Sequence, residues 1–351
     1  MWVSPMPEPA YRMPAEWALH ERTLMCWPAR DDLWGAHRHQ AVDEYVGVAA
    51  AVAQFEPVTM VAPPRYVEEA EARCAQVDGD VGVVELAIDD SWARDSGPLY
   101  AVDGAGNRVV VDVTFNSWGE KFLPYADDAL LARRWAGLAG VPVVDETMVL
   151  EGGSVSVDGA GTVLTTEQCL LHPNRNPSMD RTQIEAGLHR VLGTSHVVWL
   201  PFGLALDDDT DGHVDNCAAF IAPGTVLLQG CNDPAEEDHA RMGANAAVLA
   251  AATDASGAQL TTVEVPVLPF AELGGERLVV PYLNLYLCNG GAVVPVSGHP
   301  ADDEILALIG AQLPGRRVVP VPAVAIAFGG GGPHCITQQV PADPHAVGGA
   351  S

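Results

Sequence analysis

The chain has 351 residues, of which 48% are hydrophobic and 18% are charged, so it can build one large core or two smaller ones. Asp and Glu number 46 against 18 Lys and Arg, which gives a formal net charge of −28. This charge disfavours nucleic acid as a partner, because phosphate binding requires a basic surface. An acidic surface attracts small cations, although it can also serve solubility alone.

Membrane and disulfide classes are also disfavoured by the sequence. No apolar run reaches the roughly 18–20 residues that a membrane-spanning helix requires, and the longest run, 318–328, contains two prolines. The first twelve residues lack the basic and then apolar pattern of a secretory leader, so we expect a cytoplasmic protein. Seven cysteines without a CxxC pair argue against a disulfide framework.

A repeated pattern runs along the chain: an apolar run, a short polar or glycine-rich break, and a second apolar run. Its five breaks centre on Asp95, Gly152, His213, Asn289 and Cys335. Five segments with helical periodicity lie before or between the breaks, at 41–55, 128–140, 181–192, 237–253 and 302–313. Strands that alternate with helices predict an α/β fold. Five such units suggest quasi-repeated blades around one axis with the breaks at one end, and an open α/β sheet is the alternative.

Cys335 follows four glycines in GGGGPHCITQQ, near the C-terminus. Glycines allow the backbone to approach a ligand closely, so a cysteine at this position is a candidate nucleophile. A free thiol is mostly protonated at pH 7, and it therefore needs a neighbouring histidine, an amide dipole or a bound cation. A buried structural thiol is the alternative interpretation.

His213 lies in DDDTDGHVDN, with Asp209 four residues before it in a turn and Asp215 two residues after it. On a strand, His213 and Asp215 would face the same side, and a histidine beside a carboxylate is typical of proton transfer. Two metal sites are alternatives. An EF-hand loop is disfavoured because its twelfth position is Ala218, and a transition-metal site with Cys217 lacks a second ligand pair.

Two further carboxylates follow predicted strands. Asp95, in DDSWARDSGP, lies near Trp92, and a carboxylate beside an aromatic ring suits a planar cation. Glu151, in LEGGS, is an unusual residue at the end of a strand. A structural turn is the alternative for both carboxylates.

Three other conspicuous residues favour structural roles. Trp118 is typical of a core residue, and Arg175 of a residue that orders a loop. His334 would point away from Cys335 if this segment were extended.

Seven ordered blocks together resemble the agmatine deiminase family, which is related to the bacterial-type peptidylarginine deiminases. The blocks are MPAEWALHERTLMCWP (13–28), DDSWARDSGP (89–98), FNSWG (115–119), LEGGSVSVDGAGTVLTTEQCLLHPNRNP (150–177), WLPFGLALDDDTDGHVDN (199–216), YLNLYLCNGG (282–291) and GGGGPHCITQQVP (329–341). The resemblance implies a pentein fold, a five-bladed α/β propeller of pseudo-fivefold ββαβ-type modules around a central active site. It implies one catalytic domain over 1–351, with 342–351 as a flexible tail.

The resemblance also implies residue roles in the hydrolysis of agmatine, a step of putrescine and polyamine biosynthesis. Cys335 would be the nucleophile, and His213 would protonate the leaving ammonia and later activate water. Asp95 and Asp215 would hold the guanidinium nitrogens. Trp92 and Glu151 would line the pocket, and Asp209 would face the distal end of the substrate. The resemblance implies no metal and no organic cofactor.

The sequence departs from the family pattern at Pro333, at Asp211 and at Ala205–Leu206, which leaves the substrate tail less defined than the reaction. Free arginine, peptidyl arginine or another guanidino metabolite is the alternative substrate, and a non-catalytic binding protein is the alternative of another class. We expect a small cationic guanidino ligand, no nucleic-acid partner and no membrane partner. The oligomeric state stays open, including a homodimer or a homotetramer.

Overall fold

The computed structural model describes residues 11–343, which form nineteen strands and eleven α-helices joined by short 3-10 turns. The strands are β1 Tyr11–Arg12, β2 His20–Cys26, β3 Val58–Ala62, β4 Val81–Glu85, β5 Leu99–Asp103, β6 Arg108–Thr114, β7 Val143–Val149, β8 Val155–Val157, β9 Thr162–Thr166, β10 His196–Leu200, β11 Ala218–Ala222, β12 Thr225–Gln229, β13 Thr261–Val265, β14 Phe270–Leu273, β15 Glu276–Val279, β16 Tyr286–Cys288, β17 Gly291–Val296, β18 Arg317–Pro322 and β19 Thr337–Pro341. The helices are α1 Asp31–Trp34, α2 Arg38–Val52, α3 Val67–Cys74, α4 Ala93–Ser96, α5 Ser117–Glu120, α6 Leu131–Ala139, α7 Glu167–Leu170, α8 Arg181–Leu192, α9 Glu237–Ala251, α10 Asp302–Gln312 and α11 Val324–Phe328.

Five small sheets share one topology, in which an antiparallel hairpin is followed by a helix and a parallel strand. The first four are β5-β6-β7, β8-β9-β10, β11-β12-β13 and β16-β17-β18. In the fifth, β19 pairs with β2, and β3 and β4 follow in parallel, so the two ends of the described chain share a sheet. The sheets confirm the α/β class and the predicted fivefold repetition. Their placement around one axis stays a prediction from the resemblance.

Middle strands of the sheets include largely buried ones, such as β9, where all five residues are buried, and β12, where four of five are buried. Strands of this kind are covered on both faces, which explains their almost continuous apolar runs. The helices cover the outer faces. Helix α8 shows why its limits follow from sequence: Asp180 and Gln183 form a capping box at its start, and Gly193, with a φ of 67°, ends it.

Two of the five predicted modules are wrong in detail. Asn289 lies in the β16–β17 hairpin turn, where its side chain bonds the backbone of His20, and the segment before β16 carries Asn284 instead. The apolar run before the glycines of the last module forms helix α11 and not a strand. Of the predicted tail 342–351, residues 344–351 lie outside the described part of the chain. Within the described residues, no helix is both long and apolar enough to cross a membrane.

Candidate active site

The segments that immediately precede the first strands of the five sheets supply one buried polar site. These segments contribute Asp95 before β5, Glu151 before β8, His213 and Asp215 before β11, Asn284 before β16 and Cys335 before β19. The 3-10 turn at 152–154 contacts both α4 and the 3-10 turn at 214–216. The repeated topology therefore brings together residues that are far apart in sequence, as in the contact between Arg94 and the His334 carbonyl, 240 positions apart.

Cys335 lies in a turn at the entrance to β19, and its side chain is 3% exposed. The Asn284 amide donates to Sγ at 3.1 Å, and Sγ lies 3.5 Å from Asp215 Oδ2. Burial and then the negative charges of Asp215 and Asp95 raise the pKa of the Cys335 thiol well above its ordinary value. Without a cation in the site, Cys335 is therefore a neutral thiol.

The glycine run before Cys335 is explained by close packing. A Cβ on Gly331 would lie 3.1 Å from Cys335 Sγ and 2.6 Å from the Trp92 ring. A side chain at this position would displace the sulfur or the aromatic wall. The sequence argument from the four glycines is thus supported at Gly331.

Asp95 is held by two donors. Trp118 Nε1 donates to Oδ2 at 3.1 Å, and the backbone N–H of Gly153 donates to Oδ1 at 2.9 Å. Burial is the main cause that raises the pKa of Asp95 to about 6, with His213 opposing the rise and Asp215 and Glu151 adding to it. The sequence analysis assigned Trp118 to the core, and its contact with Asp95 comes from a turn 23 residues away.

His213 is fully buried between two carboxylates. Its Nδ1 lies 3.8 Å from Asp95 Oδ1 and its Nε2 lies 3.8 Å from Glu151 Oε2. Neither ring nitrogen has a hydrogen-bond partner among the described residues. Burial lowers the pKa of His213, but Asp95, Cys169 and Glu151 outweigh it and raise this pKa well above its ordinary value. His213 is therefore an imidazolium that can give up a proton.

The predicted strand around His213 is wrong. His213 is an extended residue before a 3-10 turn, Val214–Asn216, so the alternation that placed it beside Asp215 does not apply. The carboxylate that the preceding loop offers His213 is Asp207, whose Oδ2 accepts from the His213 backbone N–H at 3.0 Å. Cys217 was the third ligand of the alternative metal site on the same predicted strand. Its thiol instead donates to the Phe202 carbonyl at 3.8 Å.

Glu151 is fully buried behind His213. It does not line the cavity that opens onto Cys335, which is described below. Its Oε1 accepts from Arg175 Nε at 2.6 Å, while Oε2 has no partner within the described chain. Arg175 also donates to Asp211 at 2.7 Å, and Lys121 reaches the same Asp211 side chain at 2.7 Å. Arg175 thus fixes Glu151 and is itself held by Asp211. The sequence departure at Asp211 therefore has a structural role in the site.

Asp215 is oriented by His334, which the sequence analysis set aside. His334 Nδ1 lies 2.8 Å from Asp215 Oδ2, and His334 Nε2 lies 2.8 Å from Glu16 Oε2. With a carboxylate at each ring nitrogen, His334 is an imidazolium, and its pKa is raised although burial opposes this. Burial also acts to raise the pKa of Asp215, but the His334 bond and charge lower it on balance. Asp215 Oδ1 is left without a partner among the described groups.

A cavity of about 330 Å³ opens onto Cys335 and Asp95. Its lining combines apolar and aromatic side chains with the carboxylates Asp90, Asp95 and Asp209, and a second cavity shares the exposed Asp209 and Gly330. None of the residues that line the first cavity carries a positive charge; they are Leu33, Asp90, Trp92, Asp95, Trp118, Phe122, Asp209, Thr210, Gly329, Gly330 and Cys335. This shape and charge suit a narrow cation with a second positive group at its far end.

The other departures from the family pattern, Pro333 and Ala205–Leu206, do not line the cavity that opens onto Cys335. The Pro333 carbonyl accepts from Thr337 Oγ1 at 2.8 Å within the turn that carries Cys335. The Ala205 N–H donates to Asp238, and Leu206 is 45% exposed and lines the second cavity. Of these departures, Leu206 belongs to the second cavity, which adjoins Asp209.

The geometry places a sulfur, two carboxylates and a proton donor around one point. The arrangement can bind a planar cation between Asp95 and Asp215, attack its central carbon with Cys335, and move protons through His213. These four residues are predictable from the sequence. Their supports Asn284, Trp118, Arg175 and His334 are not, although adjacency to Cys335 is a local signal for His334.

Comparison with known proteins agrees with this chemistry. Residues 12–341 match the family described as Porphyromonas-type peptidyl-arginine deiminase. An agmatine deiminase from Stutzerimonas stutzeri is 41% identical, over 95% of this chain and 96% of the relative. The structure of an agmatine deiminase from Enterococcus faecalis superposes with a TM-score of 0.90 at 32% identity, over 95% of this chain and 96% of that one.

A substrate-bound agmatine deiminase from C. jejuni has a TM-score of 0.87 at 25% identity, over 95% of this chain and 97% of that one. The matches span almost the entire described chain and include every segment of the site. The chain therefore belongs to the Porphyromonas-type peptidyl-arginine deiminase family.

Proposed function

We propose that this chain is an agmatine deiminase, which hydrolyses agmatine to N-carbamoylputrescine and ammonia through a covalent intermediate on Cys335. The observation that carries the proposal is the grouping of Cys335, Asp95, Asp215 and His213, of which Cys335 and Asp95 line a cavity while Asp215 and His213 lie directly behind them. The relatives named agmatine deiminase, at 41% identity over 95% of this chain in one case, support the same reaction.

Substrate binding creates the nucleophile. A guanidinium stays protonated at neutral pH, so it enters as a cation and meets Asp95 and the free Oδ1 of Asp215. Its charge offsets the two carboxylates that raise the pKa of Cys335, and the thiol loses its proton to solvent. The thiolate then faces the guanidinium carbon at close range.

The first chemical step replaces a carbon–nitrogen bond by a carbon–sulfur bond. The thiolate attacks the guanidinium carbon and gives a neutral tetrahedral adduct. The imidazolium of His213 protonates one terminal amino group, and ammonia leaves with the electrons of the broken C–N bond. An S-alkylated isothiouronium cation, which still carries the aminobutyl tail, remains on Cys335.

Hydrolysis reverses the proton flow. Neutral His213 takes a proton from water, and the hydroxide attacks the same carbon. The C–S bond breaks and returns the thiolate, while loss of one proton leaves the ureido group. Glu151 and Asp95 stabilise the imidazolium that re-forms, because each carboxylate lies 3.8 Å from one ring nitrogen.

The cavity favours agmatine over arginine. An arginine-type substrate brings a carboxylate or a peptide carbonyl to the outer part of the cavity, where Asp209 would repel it or leave it without a donor. The Arg277 side chain lies in the neighbouring cavity but is paired with Glu236 at 2.6 Å. The amino group at the far end of agmatine has the charge that Asp209 attracts.

The remaining expectations form part of the same proposal. Cys335, Asp95, Asp215 and His213 would be the catalytic residues, with Trp92 and Asp209 on the substrate, in one catalytic domain that acts in the cytoplasm. The net charge of −28 supports a small cationic partner and opposes a nucleic-acid partner. Sedimentation of the purified protein would decide between a monomer, a homodimer and a homotetramer.

The test measures ammonia and ureido product from agmatine, arginine and blocked arginine, with the native chain and with Cys335→Ser. We expect turnover of agmatine, far slower turnover of arginine, and none above background in the variant. Turnover of arginine but not agmatine would overturn the substrate. Undiminished turnover by Cys335→Ser would overturn the mechanism.

A further inference from the structure

A buried cluster of three metal-binding side chains lies beside the proton donor. Glu151, Cys169 and His213 are each fully buried, and one ligand atom of each lies within 4.8 Å of the others. Cys169 comes from α7, which follows the middle strand β9, and its backbone N–H is held by Thr166 Oγ1 at 3.2 Å. The cluster thus joins a residue outside the proposed mechanism to two residues within it.

The cluster contains polar atoms that no hydrogen bond in the described chain satisfies. Glu151 Oε2 and both nitrogens of His213 are buried without a hydrogen-bond partner. Such groups are rare in protein interiors, because each loses its water without replacement. His213 Nε2 and Glu151 Oε2 are 3.8 Å apart, and loss of the Nε2 proton would give this nitrogen a lone pair for a ligand shared with the carboxylate.

The donor set matches one class of metal ion. Thiolate, imidazole and carboxylate are the ligands of zinc, with bonds of about 2.0–2.3 Å and a fourth position for water. Ligand atoms on such a tetrahedron lie roughly 3.3–3.8 Å apart, so the cluster needs only small side-chain movements to close on an ion. Magnesium and calcium prefer oxygen ligands and do not suit a cysteine and a histidine.

The surroundings orient the ligands and balance the charge. Arg175 holds Glu151 through Oε1 at 2.6 Å, so Oε2 stays directed at His213. A divalent ion that displaces one proton from Cys169 and one from His213 leaves the charge of this buried cluster unchanged.

We propose that Glu151, Cys169 and His213 form an inhibitory site for a zinc-class divalent ion. The inhibition rests on the proposed function, because the ion occupies the nitrogen of His213 that faces Glu151 and prevents the imidazolium from forming. Its positive charge also opposes the guanidinium that Asp95 attracts. The ion is an inhibitor of this enzyme and not a participant in its reaction.

Cobalt(II) reports the site without any need for turnover. In Cys335→Ser the nucleophile is absent, so a thiolate-to-cobalt absorption band requires another cysteine. We expect one equivalent of Co²⁺ to give this band in Cys335→Ser and not in the double variant with Cys169→Ser. A double variant with Cys217→Ser is the matched control, since Cys217 is equally buried and we expect its band to persist.

A second variant is needed because Cys169→Ser could lose the band by disturbing the fold. Glu151→Gln in the Cys335→Ser background keeps the thiolate band but weakens cobalt binding by at least ~10-fold, because a neutral amide replaces the carboxylate. A band that vanishes with Cys335→Ser alone, or that survives Cys169→Ser, would overturn the site. Unchanged cobalt affinity in Glu151→Gln would also contradict it.

Activity provides the second arm. Micromolar Zn²⁺ should inhibit agmatine turnover by the native chain, a chelator should restore it, and Cys169→Ser should be at least ~10-fold less sensitive. Equal sensitivity of Cys169→Ser would place the ion on Cys335 and refute the inference. If the native chain did not turn over agmatine but the cobalt band followed Cys169, the proposed function would fail while the metal site stood.

Discussion

The two sides of the reaction centre hold their charged groups in opposite ways. On one side, which we call the reactive side, His213 lies between Asp95 and Glu151 at 3.8 Å from each and has no hydrogen-bond partner in the described chain. On the other, the holding side, His334 donates to Asp215 and Glu16 at 2.8 Å each. Both histidines are positively charged, but only one is free to move its proton.

This difference follows from what each side does. An imidazolium with two short carboxylate bonds is a fixed charge, which keeps Asp215 ionised and aimed at the substrate. An imidazolium without such bonds is costly to bury but can exchange its proton with a substrate nitrogen or water. Four of the buried polar atoms without a hydrogen-bond partner in the described chain belong to this centre: Glu151 Oε2, both ring nitrogens of His213 and Asp215 Oδ1.

The largest effect should follow the loss of the movable proton. We expect His213→Gln to reduce kcat for agmatine by ~10³-fold, because no other residue of the reactive side can protonate the departing ammonia. Steady-state ammonia release measures this, and His39→Gln, at a histidine side chain that is 82% exposed, is the control. A loss smaller than tenfold would mean that His213 does not carry the proton.

Crowding the space between the two sides should have the next largest effect. A Cβ on Gly153 would lie 2.6 Å from His213 Nδ1 and 2.9 Å from both Asp215 Oδ2 and Asp95 Oδ1. We expect Gly153→Ala to lower kcat/KM by ~10²-fold, since displacements of about 1 Å have this effect in active sites.

Gly137→Ala provides the matched control for this change. Gly137 lies in helix α6, and a Cβ there meets nothing within 4 Å. It should leave kcat/KM unchanged and raise the free energy of unfolding by ~0.5–1 kcal/mol, because alanine favours a helix interior. Equal activity of the two alanine variants would contradict the crowded geometry.

Removing the fixed charge of the holding side should cost less. We expect His334→Ala to lower kcat/KM about tenfold, mainly through KM, because Asp215 loses a charged hydrogen bond worth ~1.5–3 kcal/mol. His334→Gln, which can donate one neutral hydrogen bond, should retain more activity. In both variants the acid limb of the kcat/KM profile should move to higher pH, since the pKa of Asp215 is no longer lowered by His334. A fall in kcat alone, with the profile unmoved, would argue for a purely structural role.

The pH profile of the native chain separates the two sides without mutation. Burial raises the pKa of Asp95 to about 6, so below this pH the carboxyl is neutral and cannot hold a cation. We therefore expect kcat/KM to fall by up to ~10-fold per pH unit below about pH 6. The kcat should fall less, because bound guanidinium keeps Asp95 ionised. An acid limb shared equally by both parameters would contradict this assignment.

The smallest effect on activity should follow a substitution outside both the reactive and the holding side. Asp209 is exposed at the outer part of the cavity, so Asp209→Asn should raise KM for agmatine by about 2- to 5-fold and leave kcat unchanged. The effect should shrink as salt is added, because exposed charges are screened. Asp208→Asn is a control, since Asp208 is a neighbouring exposed carboxylate that does not line the cavity. Equal changes in both variants would indicate only long-range attraction.

Regular elements were the part of the fold that the sequence predicted best. The predicted segment 181–192 coincides with Arg181–Leu192 because its capping box and terminal glycine are local signals. The run that became α11 was taken for a strand, because a short apolar segment lacks the length that reveals a helical period. The sequence centres the fourth break on Asn289, because only strand pairing shows that this residue turns a hairpin.

The reacting residues were predictable, and most of their supports were not. Cys335, His213, Asp95 and Asp215 stand in motifs whose composition indicates chemistry. The contact of His334 with Glu16 joins residues 318 positions apart, and no local sequence pattern predicts such a contact. The same holds for Cys169, a buried cysteine in a short helix whose proximity to His213 appears only when the sheets assemble.

The central claim is that Cys335 attacks the guanidinium carbon and that the group lost from the covalent adduct is ammonia and not the aminobutyl amine. Rapid acid quenching of the native chain during agmatine turnover, followed by peptide mass analysis, tests it most directly. We predict a gain on the Cys335 peptide equal to agmatine minus ammonia. An unmodified peptide, or an adduct that has lost the aminobutyl tail, would contradict the account.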